Sequence, residues 1–153
     1  MAAHGTERTN VMADPALLDE LVPLLRQVGV FSRCSDFDLT VVARKAEIRE
    51  VPAGAKVIVE GEDSSEMFLV LRGGAEAVMG GEVVNTFGPG GLFGELAALV
   101  PAPRTSDVVT TEPSQLAVLS RSQVYLLIDA IPGMAQKMIE GLAISLRDRI
   151  QSP

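Results

Sequence analysis

The chain has 153 residues, 47% of them hydrophobic and 22% charged, which is enough to close one core and too apolar for a disordered polymer. Its formal charge of −7 repels phosphate backbones, and no run of Lys and Arg forms a basic stripe, so nucleic-acid binding is not expected. One cysteine, Cys34, and one histidine, His4, make neither an internal disulfide nor a zinc site.

The leader "MAAHGTERTN" lacks the basic flank and apolar core of a secretory signal, and no apolar run reaches the roughly 20 residues that span a bilayer. A cytoplasmic protein with no membrane insertion is expected. Residues 1–13 read as a flexible leader and 14–151 as a single domain.

Order is expected from Asp14 and Pro15, an N-cap residue followed by proline at the first helical position. Leu17, Leu18, Leu21, Leu24 and Leu25 then repeat with helical spacing, and Pro23 is expected to kink or end the helix. Ser35 and Asp38 in "SDFD" form a start resembling a capping box, with Phe37, Val41 and Val42 expected to face the core. These N-terminal helices occupy 14–45.

From 46 to 120 the texture changes to short apolar runs cut by turns: "AEIREV", "KVIVE", "EMFLVLR", "AEAVM" and "EVVNTF", then "SDVVTT" and "SQLAVLS". Strands at this spacing with glycine-rich connections predict an antiparallel β-roll, of the jelly-roll or double-stranded β-helix kind, and not alternating α/β units. The last segment, 121–151, returns to helix. "RSQVYLLIDA" carries Val124, Leu127 and Ile128 on one face, Pro132 and Gly133 break it, and Met134, Met138, Leu142, Leu146 and Ile150 repeat every four residues. This stripe is expected mainly to pack on the β-roll, with lid or dimer contact as its other use. The fold class is α+β, with N-terminal helices, a β-roll and two C-terminal helices.

"PGGLFGELAALVPAPRTSDV", Pro89 to Val108, interrupts the roll. Its glycines allow a close backbone approach, and "ELAAL", as one helical turn, presents the amides near Glu95, Leu96 and Ala97 to an anion. Arg104 adds a planar fork of donors for two phosphate oxygens. Taken singly, Glu95 is an ordinary first-turn charge and Arg104 a surface residue.

"FGELAALVPAPRTSDV" resembles the phosphate-binding cassette of cyclic nucleotide-binding domains, and "VPAGAKVIVEGEDSSEMFLVLRGGAEAV" resembles that family's opening strands. The likeness covers roughly Gln27 to Ile150, with the cassette at 88–108. It implies a ligand site of Phe93, Gly94, Glu95, Leu96, Ala97, Arg104 and Thr105, with Glu95 on the ribose 2′-hydroxyl and Arg104 on the phosphate. The ligand is cAMP or cGMP; cAMP is favoured, although Thr105 is a residue type associated in the family with cGMP tolerance. No other cofactor, no metal and no catalytic residue is expected. Ser106 and Asp107 depart from the family's Ala-Thr, and Asp107 is expected either to disturb the anion pocket or to pair with a basic residue. Strand alternation cannot turn Arg104 and Thr105 inward together, so the chain is irregular there or one contact is made by backbone.

The resemblance also implies a C-terminal helix that swings onto the ligand, with its hinge at Ile131–Gly133 and candidate lid residues Leu146, Arg149 and Ile150. No winged helix, kinase or channel segment follows Ile150, so a regulatory or sensor module is expected. Its partner would be an effector protein, a parent-chain domain or a second copy in a homodimer. The alternatives are a scaffold for protein interaction that has lost ligand binding, motivated by Asp107, and a cupin-like enzyme, which lacks the histidines it would need.

Overall fold

The computed structural model describes residues 7–10 and 15–151. Helix α1, Pro15–Gln27, leads through a 3-10 turn at Gly29–Phe31 to α2, Asp36–Lys45. The amphipathic leucines of α1 place Leu21 and Leu25 in the core, and the helix runs through Pro23 without ending. Proline here removes only the bond to the carbonyl of Asp19, and both residues lie on the exposed face, where water can replace it. At the start of α2 the Asp38 amide donates to the Ser35 hydroxyl and the Ser35 amide to the Asp38 carboxylate, each at 3.1 Å. Leu39, Val42 and Ala43 are buried, Val41 is half-buried and Phe37 is 75% exposed. The expectation of an inward Phe37 therefore fails, because the buried face of α2 starts at Asp38.

Strand β1, Glu7–Asn10, pairs antiparallel with β2, Glu47–Val51. The expected flexible leader over 1–13 is corrected at these four residues: an edge strand is held by backbone bonds, which a polar sequence does not advertise. The remaining leader residues, with His4 and the expected N-cap Asp14, lie outside the described residues. Then follow β3, Lys56–Ile58; β4, Glu66–Arg72; β5, Ala75–Met79; β6, Glu82–Phe87; β7, Leu92–Phe93; helix α3, Glu95–Leu99; β8, Asp107–Thr110; and β9, Ser114–Ser120. Helices α4, Arg121–Ala130, and α5, Met134–Gln151, close the chain. One sheet has the order β1-β2-β9-β4-β7 and the other β3-β8-β5-β6.

The five-stranded sheet is buried on both faces. From β4, Met67, Leu69 and Leu71 join the helical core with Leu21, Phe31 and Leu127, whereas Phe68 and Val70 join Leu116, Val118 and Phe93 between the sheets. This explains why "EMFLVLR" is an unbroken apolar run and not an alternating one. The stripe on α5 divides. Met134 and Met138 are buried, Leu142 is half-buried against the helical core, and Leu146 and Ile150 are exposed. Its docking partner is chiefly the Gly29–Phe31 turn and not the roll, at a contact so close that a Cβ on Gly141 would lie 2.2 Å from the Gly29 carbonyl oxygen.

Candidate functional site

The cassette is fastened to the roll by its aromatic residue. Phe93 stacks on Phe68 with ring centroids 5.1 Å apart and touches Phe87 at 4.9 Å. The next residue, Gly94, has a left-handed φ of 79° and caps α3 without a side-chain hydrogen bond. Its lack of a Cβ is required by space as well as by angle. A Cβ there would sit 2.8 Å from the Glu66 carbonyl oxygen and 3.0 Å from Nη1 of Arg104. The short helix therefore begins close to the arginine, with its first-turn amides lacking a side-chain cap.

Arg104 is 7% exposed. Its backbone is held by the turn before β4: the Arg104 amide donates to the Glu62 carbonyl at 3.0 Å, and the Gly61 amide to the Arg104 carbonyl at 2.8 Å. Its guanidinium donates from Nε to the Ser64 hydroxyl at 2.6 Å, from Nη1 to the Gly94 carbonyl at 3.1 Å and from Nη2 to the Glu66 carbonyl at 2.5 Å. None of these acceptors is a carboxylate. One N–H on each terminal nitrogen is left over, a two-pronged donor attached to a buried positive charge. Burial draws the Arg104 guanidinium below the ordinary arginine value, Glu66 opposes this, and Arg121 reinforces it.

A second arginine fixes the carbonyl that Arg104 uses. Arg49 on β2 is buried and donates to both carboxylate oxygens of Glu66, at 3.1 and 2.5 Å, and to Glu47 at 2.9 Å. Glu66 thus has its carboxylate on Arg49 and its backbone oxygen on Arg104. Burial would lower the Arg49 value, and the contacts to Glu66 and Glu47 raise it instead.

These features open on a cavity of about 680 Å3, within the range usual for small-molecule sites. All seven residues expected at the ligand, Phe93, Gly94, Glu95, Leu96, Ala97, Arg104 and Thr105, line it. Glu95 is half-buried, and among the described residues its carboxylate has no hydrogen-bond or ion-pair partner. Leu96 and Thr105 are exposed. Arg149 of α5 reaches the cavity, whereas Leu146 and Ile150 are exposed and do not line it.

Residues 101–106 are not a strand, and this resolves the alternation problem. Arg104, Thr105 and Ser106 line the cavity together, because regular pleating starts only at Asp107. Asp107 turns to the other side, where its carboxylate accepts from the Glu60 amide at 2.8 Å and pairs with Lys56 at 3.3 Å.

Sequence reasoning missed the far wall, made of Ile58, Ala77, Asn85, Phe87 and Val108. Asn85 is the polar member, on the same face of β6 as Phe87, and its side-chain oxygen accepts from the Thr86 amide at 2.9 Å. The period-2 relation of Asn85 to Phe87 was the available signal.

Residues 48–130 match the model of the cyclic nucleotide-binding domain. Among curated proteins, the cAMP-dependent protein kinase regulatory subunit of Yarrowia lipolytica is 31% identical over 120 residues, covering 78% of this chain and 32% of that protein. The chain thus spans about a third of the length of that relative. Among solved structures, a cyclic nucleotide-binding domain from Methylobacillus flagellatus KT superposes with a TM-score of 0.80 at 20% identity, covering 95% of this chain and 84% of the other. The regulatory domain of Toxoplasma gondii PKA, crystallised with cAMP, gives 0.69 at 30% identity over 74% of this chain and 45% of its own. With the glycine-capped turn, the buried arginine and this match together, the chain belongs to the cyclic nucleotide-binding domain family.

Proposed function

We propose that the cavity binds a cyclic nucleotide, cAMP in preference to cGMP, and that the domain acts as a regulatory sensor and not as a catalyst. The observation that carries this is the state of Arg104. It is a buried guanidinium whose acceptors are two carbonyls and one hydroxyl, with a donor left on each terminal nitrogen. A buried cation without a carboxylate partner is costly, and a monoanionic cyclic phosphate supplies the missing charge and two in-plane acceptors. The uncapped first turn of α3 adds backbone donors. Glu95, a carboxylate without a partner among the described residues, accepts from a ribose hydroxyl. Support for cAMP comes from the Yarrowia relative's name and from the ligand in the Toxoplasma structure.

The response is assigned to α4 and α5, which meet at Ile131–Gly133, where Gly133 adopts a φ of 75°. Arg149 is the lid candidate best placed to meet the base. The chain's effector is a second protein, a domain of a longer parent chain or another copy of itself. A cytoplasmic site is proposed, and no described helix is long and apolar enough to cross a membrane. The scaffold reading loses its motive, since Asp107 faces Lys56 and not the cavity.

Thermal melts against cAMP, cGMP and 5′-AMP test this. A cyclic nucleotide at about a hundred times its dissociation constant stabilises the fold by roughly 2.7 kcal/mol, cAMP at lower concentration than cGMP and 5′-AMP least. No shift with either cyclic nucleotide overturns the sensor reading.

A further inference from the structure

Helix α3 is five residues long, and the backbone carbonyls at its end would be left without donor partners in an isolated turn. Two of them are taken by one neighbour. Nη2 of Arg121 donates to the Ala97 carbonyl, and the Tyr125 hydroxyl donates to the Leu99 carbonyl at 2.7 Å. Arg121 and Tyr125 are four apart on α4 and therefore share one face of it.

The helix that carries this pair is itself firmly seated. Its start is a capping box of Ser120 and Gln123, Gln123 also donates to the Lys45 carbonyl at 3.1 Å, and Val124 and Leu127 are buried in the helical core. At its far end, the Ile131 amide donates to the Leu127 carbonyl at 2.9 Å, and α5 begins three residues later. Besides the direct approach of Arg149, one path from the cavity therefore passes from α3 into α4 through two side-chain donors.

Arg121 has a second peculiarity. Its Nε is buried without a hydrogen-bond partner among the described residues, and the residue lines a depression of about 470 Å3 with Asp63, Ser64 and Pro101 to Pro103. Ala102 and Pro103 line both this depression and the ligand cavity, so Arg104 and Arg121 stand on opposite sides of one short segment. A donor left unpaired at this depth is not explained by stability alone, since burial without a partner is unfavourable. It is explained by a side chain whose position is dictated by the Ala97 carbonyl.

We infer that Arg121 and Tyr125 are positioning residues that clamp the anion-binding turn α3 to α4, and that movement of this turn on ligand binding reaches α4 through them. The inference rests on the ligand reading above and adds the residues through which the signal leaves the site. Neither residue touches the cavity, so removing the clamp separates affinity from response.

The test is hydrogen exchange on the whole chain, comparing wild type with the Arg121→Met/Tyr125→Phe double variant. Without ligand, the amides of α3 and of residues 100–106 exchange at least several-fold faster in the double variant, while those of β4 and β9 are unchanged. With saturating cAMP or cGMP, the variant binds within about tenfold of wild type but loses the ligand-induced change in α4. Arg121→Lys with Tyr125 intact restores that change, because an ammonium still donates to a carbonyl. Ile48→Val, which loosens the core away from the clamp, retains it. A double variant whose α4 responds to ligand as wild type does, or whose α3 exchange is unchanged without ligand, overturns the clamp. If wild type binds neither cyclic nucleotide, the ligand reading fails, and the ligand-free comparison still decides the clamp.

Discussion

Asp107 lies across from Lys56: its Oδ2 is 3.3 Å from the lysine Nζ, and its Oδ1 accepts from the Glu60 amide at 2.8 Å. This pairing ties the first residue of β8 to β3 and to the turn after it, and turns the acid away from the cavity. The hydrogen bond from Glu60, with help from Lys56, holds the Asp107 carboxyl below its ordinary value against a smaller effect of burial. For a depressed carboxylate the stabilisation is complete above the unfolded value near about 3.9 and is lost as pH falls through the folded value. Asp107→Asn should therefore leave cyclic nucleotide affinity within about threefold of wild type and reduce Tm at neutral pH more than at about pH 3. Calorimetric titration and melts across that range check both. A tenfold gain in affinity would mean that Asp107 does act on the cavity.

The fork of Arg104, and not its charge alone, should set affinity. Arg104→Lys keeps a cation but cannot reach Ser64, Gly94 and Glu66 while also offering two parallel donors. Taking about 1.5–3 kcal/mol for charged hydrogen bonds, the dissociation constant should rise about tenfold to a hundredfold. Circular dichroism should still report a folded β-roll. Equal affinity in the lysine variant would contradict the geometry.

Gly94→Ala should damage both fold and site. The new methyl meets the Glu66 carbonyl oxygen at 2.8 Å and Arg104 Nη1 at 3.0 Å, at a φ that side chains rarely adopt. Strain of this kind costs roughly 1–3 kcal/mol, readable as a lower midpoint in urea. Ligand should restore less of this loss than it restores in a control substitution on the surface.

At the other end of the domain, Gly141→Ala should loosen α5. Its Cβ would fall 2.2 Å from the Gly29 carbonyl oxygen, a backbone atom that has no side-chain freedom to yield. Overpacking of this sort costs about 1–3 kcal/mol, and amide exchange in α5 should quicken while the roll stays protected. Unchanged exchange would mean that the helix shifts along the turn without loss.

A second acid-sensitive contact joins α5 to α2. Lys137 donates to Asp38 at 2.6 Å. Burial pushes the Asp38 carboxyl up, but the hydrogen bonds from Lys137 and Ser35 outweigh it and the net displacement is downward. Its stabilisation is thus present above the unfolded carboxylate value and fades as pH drops through the folded one. Asp38→Asn should flatten the acid side of the Tm curve, and Lys137→Met should flatten it in part, since the Ser35 bonds survive. A curve unchanged by Asp38→Asn would place the acid sensitivity elsewhere.

The strand runs and the capping residue Ser35 were legible because each is a local signal read within a few residues. So was the cassette, where glycines, Glu95 and Arg104 sit within a short segment. Phe37 was misread because the position of one residue on a short helix depends on which face the core takes. Pro23 does not end α1, one of the two outcomes expected of it, because a helix tolerates proline where the freed carbonyl meets water. The edge strand Glu7–Asn10 and the two-residue β7 were missed because backbone pairing, not side-chain pattern, makes them.

By itself the sequence determined the order of helices, roll, cassette and helices, because periodicity and residue type act over short spans. Tertiary structure decided where the side chains point. It turned Asp107 onto Lys56, gave Arg104 three neutral acceptors from Ser64, Glu66 and Gly94, brought Asn85 and Arg149 to the cavity and set Arg121 and Tyr125 on the end of α3. Each of these is a contact between residues far apart in the chain, and which of the possible pairings forms is settled by how two sheets and a helical layer pack, information that no local window of sequence contains.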